Sequence, residues 1–273
     1  MTREASSFIT LSKQKESIMG LTHMQIKELL DESRAHACDG VGPDHVCVKI
    51  AAIAEMPSRF GQFHIVAFYN NKDGKEHVAI VRGDVPNAED VPVRVHSECL
   101  TGDVIGSLRY DCRDQLESAL RMIGKMEKGI LLYMRQEDRG IGLINKISAY
   151  GLQEHGYDTV EANIALGFRD DELDYSVAAH MLENLKVRSI RLITNNPKKI
   201  EDLTRHGMCV TGRIPHIMQP NQFNRFYLET KASKSGHMID FRGKSRLIEQ
   251  ADPPVVKGMG KEQLESIKQL YEE

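Results

Sequence analysis

Two hydrophobic periods divide this chain, and the change from one to the other near Cys112 limits the folds open to it. Before that point VCVKIAAIAEM and QFHIVAFYN are apolar, β-rich runs, and HVAIVRGD and VPVRVHSE alternate apolar with polar residues. Asn71-Lys72-Asp73-Gly74 supplies turn chemistry between them. The pattern predicts several strands joined by tight turns, paired antiparallel. Beyond Cys112 helical spacing takes over, with Leu116, Ala119, Leu120 and Ile123 on one stripe and Gly129 as the stop. GILLY reads as a short buried strand. IGLINKISAYGLQEHG reads as a helix ended by Gly156, and DELDYSVAAHMLENL as another. SIRLITNN is a strand, after which Asn196 caps a helix that carries Pro197 at its first position. CVTGRIPHI is strand-like and NQFNRFYLETKASKSGH helical.

The predicted class is α+β (α/β mixed): a single domain over about residues 45–238, built as a mixed β-sheet with flanking helices. Residues 1–44 are an N-terminal extension with one short helix, capped by Thr22 and completed as a capping box by Gln25. Residues 239–273 are a charged C-terminal tail.

At 273 residues the chain can bury a core without disulfide staples. Its five cysteines are odd in number and scattered, which predicts no disulfide framework and a reducing compartment. A formal charge of −3 argues against a nucleic-acid coat. No apolar run has membrane-spanning length, and the polar N-terminus lacks the apolar core of a secretory signal. A cytoplasmic protein with neither membrane nor nucleic acid as partner is expected.

Chemistry concentrates between Arg94 and Arg139, where Gly, Asp, Ser and Thr crowd between apolar segments. Cys99 and Cys112 are thiols of the kind that suit Zn2+, but two cysteines do not make a zinc site, and from these two alone a pair of buried thiols without metal is the favoured reading. Arg94, Arg109, Arg113, Arg135, Arg139, Lys146, Lys198 and Lys199 are a cationic set of the kind that grips phosphate, each also readable as a solvated surface charge. Thr194-Asn195-Asn196-Pro197-Lys198-Lys199 lies where a strand ends and a helix begins, which favours an anion. Glu98, Asp103, Asp111, Glu137, Asp138, Asp170 and Asp171 fall in or near loops, as general bases, readers of a purine edge, or plain turn formers. Tyr150 reads as a core aromatic.

Taken together, RVHSECLTGD, SLR-x-DC-x-x-QL, RQE-x-R-x-IGL-x-NK, YDTVEAN and TNNPKK resemble GTP cyclohydrolase II over about residues 48–238, in that family's order and near its spacing. The resemblance implies a homodimeric hydrolase of riboflavin biosynthesis that opens the imidazole ring of GTP and releases formate and pyrophosphate. It implies that Arg94, Val95, His96, Ser97 and Glu98 line the GTP site. Gln115, Glu137, Asp138, Arg139, Thr159, Thr194 and Lys199 would be further nucleotide contacts, with Glu137 at the guanine edge. Asp171 would be the proton acceptor and Tyr150 a site tyrosine. Cys99 and Cys112 would hold the zinc whose bound water attacks C8, and Mg2+ would accompany the triphosphate.

Three positions depart from the pattern. The family's zinc block is Cys, ten residues, Cys, one residue, Cys; its middle ligand is here Tyr110. A phenol reaches much farther from the backbone than a thiol and gives up its proton less readily. Leu173 stands where the family has an arginine proposed as the nucleophile for the guanylyl group, and Asp138 where it has a glycine. These departures keep alternatives open: a divergent paralogue acting on another nucleotide or on a pyrimidine, as in superfamily members linked to uracil breakdown, or a non-catalytic nucleotide-binding protein.

Overall fold

A computed structural model describes residues 20–37, 45–168, 174–234 and 238. Asp170, Asp171 and Leu173 lie outside the described residues, as do the first nineteen residues and the whole of the C-terminal tail. The chain forms two compact units. Among described residues the first comprises those up to 96, 115–135 and 174–216; the second comprises 97–114, 136–168 and those from 217 on.

The first unit carries a seven-stranded mixed sheet in the order β1-β2-β3-β5-β4-β6-β7. Strands β1 (Val48–Ser58), β2 (Gly61–Asn70) and β3 (His77–Arg82) form the predicted antiparallel run, and β5 (Gly129–Met134) pairs antiparallel with β3. Strands β4 (Val91–Ser97), β6 (Ile190–Ile193) and β7 (Val210–Ile214) pair in parallel. The parallel part follows from the helices between strands, since parallel neighbours need a crossover. In β4 four successive residues, Val93 to His96, are buried, so this strand is covered on both faces.

Helix α1 (His23–Ala35) begins as expected: Gln25 N donates to the Thr22 hydroxyl, and Thr22 N donates to Gln25 Oε1. Helix α2 (Cys112–Gly124) packs its predicted stripe, Ala119, Leu120 and Ile123, against Phe63, Leu131 and Ile193. Each large side chain buried here contributes about 1.5–3 kcal/mol. The helix stops at Gly124 rather than running toward Gly129. A β-carbon at 124 would lie 2.0 Å from the Phe60 carbonyl oxygen, so close approach demands glycine there, while Gly129 opens β5.

The second unit holds α3 (Leu143–Glu154), α4 (Thr159–Ala165) and α7 (Arg225–Lys234), with Ala149, Leu152 and Ala162 as a small core. Helix α4 was not expected, although Asp158 and Glu161 form a capping box that marks its start. In the first unit α5 (Ser176–Asn184) precedes β6. Helix α6 (Pro197–Arg205) follows it, capped by Asn196 as predicted.

Among the described cysteines Cys99, Cys112 and Cys209 are free thiols. Cys47 is disulfide-bonded, a bridge that the odd, scattered cysteine count did not suggest. No described helix is long and apolar enough to cross a membrane.

Candidate active site

The marked residues fall into two clusters, one in each unit. In the first unit β4 sets Arg94 and His96 on one face and Val93 and Val95 on the other. Arg94 is buried and donates from Nη1 to the Ile193 carbonyl at 3.1 Å and from Nη2 to Gln115 Oε1. His96 is buried and stacks on Tyr133, ring centroids 5.5 Å apart. Lys199 donates from Nζ to the Val95 carbonyl at 2.9 Å and lies 5.5 Å from the centre of the Tyr175 ring. Thr194 is buried, and its hydroxyl accepts from Asn196 N at 3.0 Å. Asn196 Oδ1 in turn accepts from Lys198 N at 3.0 Å, so the chain itself uses two of the amides at this helix start.

His216 joins this cluster unannounced by any motif. It is 3% exposed, its two ring nitrogens have no hydrogen-bond partner among the described residues, and its backbone is clasped by Asn195. Burial holds its pKa down to about 3, with Arg94, His96 and Lys199 adding positive field. The imidazole is therefore neutral at physiological pH. Arg94, His96, Lys199 and His216 gather cationic and imidazole groups at one end of β4, which suits an anionic ligand.

The second cluster is built around Lys146 on α3. Lys146 is almost fully buried, and its Nζ donates to Glu137 Oε1 at 2.5 Å and to Cys99 Sγ at 3.0 Å. Glu137 Oε2 accepts from Leu100 N at 2.8 Å, which ties the turn 137–140 to the π-turn Leu100–Val104. The Cys99 thiol is pulled down to about 6, chiefly by a hydrogen bond from Cys112, then by Lys146 and by the Gly102 N–H at 3.3 Å, against the opposing effect of burial. Burial alone would lower the Lys146 pKa; its bonds to Cys99 and Glu137 outweigh that and raise it. Tyr150 shares a hydrogen bond with the Thr101 hydroxyl at 2.8 Å, and the Arg109 guanidinium lies 4.7 Å from its ring centre. Tyr150 is thus half-buried and polar-anchored rather than a pure core aromatic. Lys146, Tyr150 and Gln153 recur at helical spacing on one face of α3, a signal already present in the sequence.

Tyr110 lies in an aromatic wall. Its ring centre is 4.3 Å from that of Tyr227 and 5.7 Å from that of Tyr150. Gln153 Nε2 donates to its hydroxyl at 3.2 Å, and burial pushes its pKa up, the Asp138 carboxylate adding to this.

This donor set does not fit a zinc ion. The phenol is engaged by an amide, and an ammonium sits against the Cys99 sulfur. Among the described residues no three His, Cys, Asp or Glu side chains are placed to hold a metal.

Asp138 adopts a φ of +47°, the left-handed region where glycine is unstrained and aspartate is tolerated. Arg139 follows it in the same turn. Thr159 opens α4, its hydroxyl without a partner among the described residues. Ser97 and Glu98 are half-buried at the end of β4 and just beyond.

The GTP cyclohydrolase II family profile matches residues 49–215. The chain belongs to the GTP cyclohydrolase II family. GTP cyclohydrolase-2 of Picrophilus torridus is 55% identical over 186 residues, which cover 68% of this chain and 96% of that one. GTP cyclohydrolase-2 of Tolumonas auensis is 52% identical over 192 residues, 70% of this chain and 98% of that one. The riboflavin biosynthesis protein RibBA of Bacillus subtilis is 54% identical over 187 residues, 68% of this chain and 47% of that one, so the chain spans about half the length of that relative. The described fold is the mixed sheet with flanking helices expected from the sequence, in an enzyme of the GTP cyclohydrolase II family.

Proposed function

We propose that this chain binds GTP and acts as a GTP cyclohydrolase II, opening the imidazole ring and releasing formate and pyrophosphate. The observation that carries the reading is the buried Lys146–Glu137–Cys99 set on a chain of this family; the first unit separately carries a buried cationic cluster around Arg94. In the reaction a first water adds at C8 and the C8–N9 bond breaks. A second water carries the carbon off as formate, and a third cleaves between the α- and β-phosphorus.

Arg94, His96 and Lys199 supply charge for phosphate oxygens. Glu137 keeps lone pairs for the guanine N–H edge after accepting from Lys146 and Leu100. Cys99, near neutral pH in its titration, can take a proton, and the Lys146 ammonium stabilises negative charge that develops beside it. No step is routed through zinc, because the donor set does not fit it.

On the same reading the chain is a cytoplasmic homodimer, takes its nucleotide with Mg2+, and uses residues 45–238 as the catalytic part, with Asp171 as proton acceptor. Incubating the full chain with GTP and Mg2+ and measuring formate and the ring-opened pyrimidine tests it. Absence of both products, with GTP binding intact by calorimetry, sinks the ring-opening claim.

A second reading is favoured by Tyr110, whose ring is walled in where the family pattern has a cysteine. It holds that the chain binds a nucleotide but turns over a different one, or none. A panel of purine and pyrimidine nucleotides, scored for binding and for turnover, separates the two.

A further inference from the structure

The family pattern asks for three thiolates around a dication, and two of those thiols are present. Their surroundings differ from what such an ion needs. Cys99 Sγ already receives Lys146 Nζ at 3.0 Å and Gly102 N at 3.3 Å, and Thr101 Oγ1 lies 3.7 Å away. A zinc ion bonded to that sulfur at about 2.3 Å would lie within about 5 Å of the ammonium, a like-charge contact in a buried setting. Nor can the ammonium simply swing away. Lys146 is 1% exposed, its Nζ is tied to Glu137 at 2.5 Å, and Glu137 is tied to Leu100 N. Two aromatic rings face the same nitrogen, Tyr110 at 5.7 Å and Tyr150 at 6.0 Å. The cation has a carboxylate, a sulfur and two π faces around it, which is a complete set of partners for one positive charge.

We infer that the Tyr110 ring, standing where the family pattern has its third thiolate, leaves the zinc site incomplete, that Lys146, a lysine the family motif shares, neutralises Cys99 in its place, and that the chain carries no zinc at Cys99 and Cys112. Glu137 and Cys99 are the anchors of that cation, and Tyr110 is the wall that replaces the third thiolate. The inference rests on family membership and on this geometry, and it holds whether or not GTP is turned over.

The test is metal content. The full chain is produced in zinc-supplemented medium, exchanged into metal-free buffer and analysed by plasma mass spectrometry. Cobalt(II) titration is followed in parallel for thiolate-to-cobalt charge transfer. Substoichiometric zinc and no charge-transfer band are expected. Stoichiometric zinc that disappears in Cys99→Ser would overturn the inference. In the double variant Tyr110→Cys with Lys146→Met, zinc affinity should rise at least about tenfold, the low end of what groups around a metal site change. If that variant keeps its circular dichroism and still takes no zinc, Lys146 and Tyr110 are not what excludes the metal, and the assignment falls. Formate assays read the proposed activity separately, so either claim can fail alone.

Discussion

Lys146 Nζ lies 3.0 Å from Cys99 Sγ, with both groups buried. This contact, together with the Glu137 carboxylate on the same nitrogen, makes Lys146 a determinant of stability. Lys146→Met removes the cation and leaves Glu137 buried without its charge partner. A loss of about 3–5 kcal/mol in urea unfolding is expected, as for other half-broken buried pairs. Adding Glu137→Gln should recover part of it. A single variant as stable as the parent would show that the pair is not coupled.

Tyr110 separates shape from polarity. Tyr110→Phe keeps the ring against Tyr227 and Tyr150 and loses only the bond to Gln153, so it should cost about 1 kcal/mol. Tyr110→Ala removes the ring and should cost about 3–5 kcal/mol. Chemical unfolding of the two side by side checks the order.

His216 links stability to pH with a definite sign. Its folded pKa of about 3 lies below the ordinary 6.5, so below pH 6.5 the unfolded chain binds the proton and the folded one does not. Its contribution is complete above pH 6.5 and is lost as pH falls toward 3. At pH 5 the loss from this group is on the order of 2 kcal/mol. His216→Leu should flatten the fall in stability between pH 7 and pH 5. An unchanged slope would mean that the imidazole is protonated in the fold.

Asp138 has a left-handed backbone. Asp138→Gly should therefore leave stability within about 1 kcal/mol of the parent, whereas Asp138→Val should cost about 1–2 kcal/mol. Thermal melts of both variants decide this.

Arg94 donates to the Ile193 carbonyl and to Gln115. Arg94→Lys keeps the charge but loses the fork, so GTP affinity by calorimetry should drop about ten- to hundredfold. Equal affinity would remove Arg94 from the nucleotide contacts.

The antiparallel strands were legible because β1 and β2 are apolar, β-rich runs, β3 and β4 alternate in sequence, and the turn at 71–74 carries Asn, Asp and Gly in series. The cap of α6 was legible for the same reason, since Asn196 and Pro197 are local signals. Helix α4 is only seven residues long and carries little periodicity, so its one cue was the Asp158–Glu161 box. The end of α2 could not be read locally, because what forbids a side chain at Gly124 is the Phe60 carbonyl, remote in sequence. Lys146 stood among eight candidate cations, and its one local mark was the helical spacing it shares with Tyr150 and Gln153. His216 was invisible for a similar reason, since its character comes from what surrounds it. The Cys99–Cys112 spacing was legible, but not that an ammonium would occupy the sulfur.

Strand β4 has a consequence for how this protein can be altered. Val93 to His96 are buried in succession, so the strand has no outward face there and no position in it is neutral. A change at the Val93 side chain presses on the backbone that aims Arg94 and His96. Val93 is thus a tuning screw reached from behind: Val93→Ala should shift affinity for the proposed nucleotide through posture alone, and libraries seeking new substrates can vary it without touching a charge.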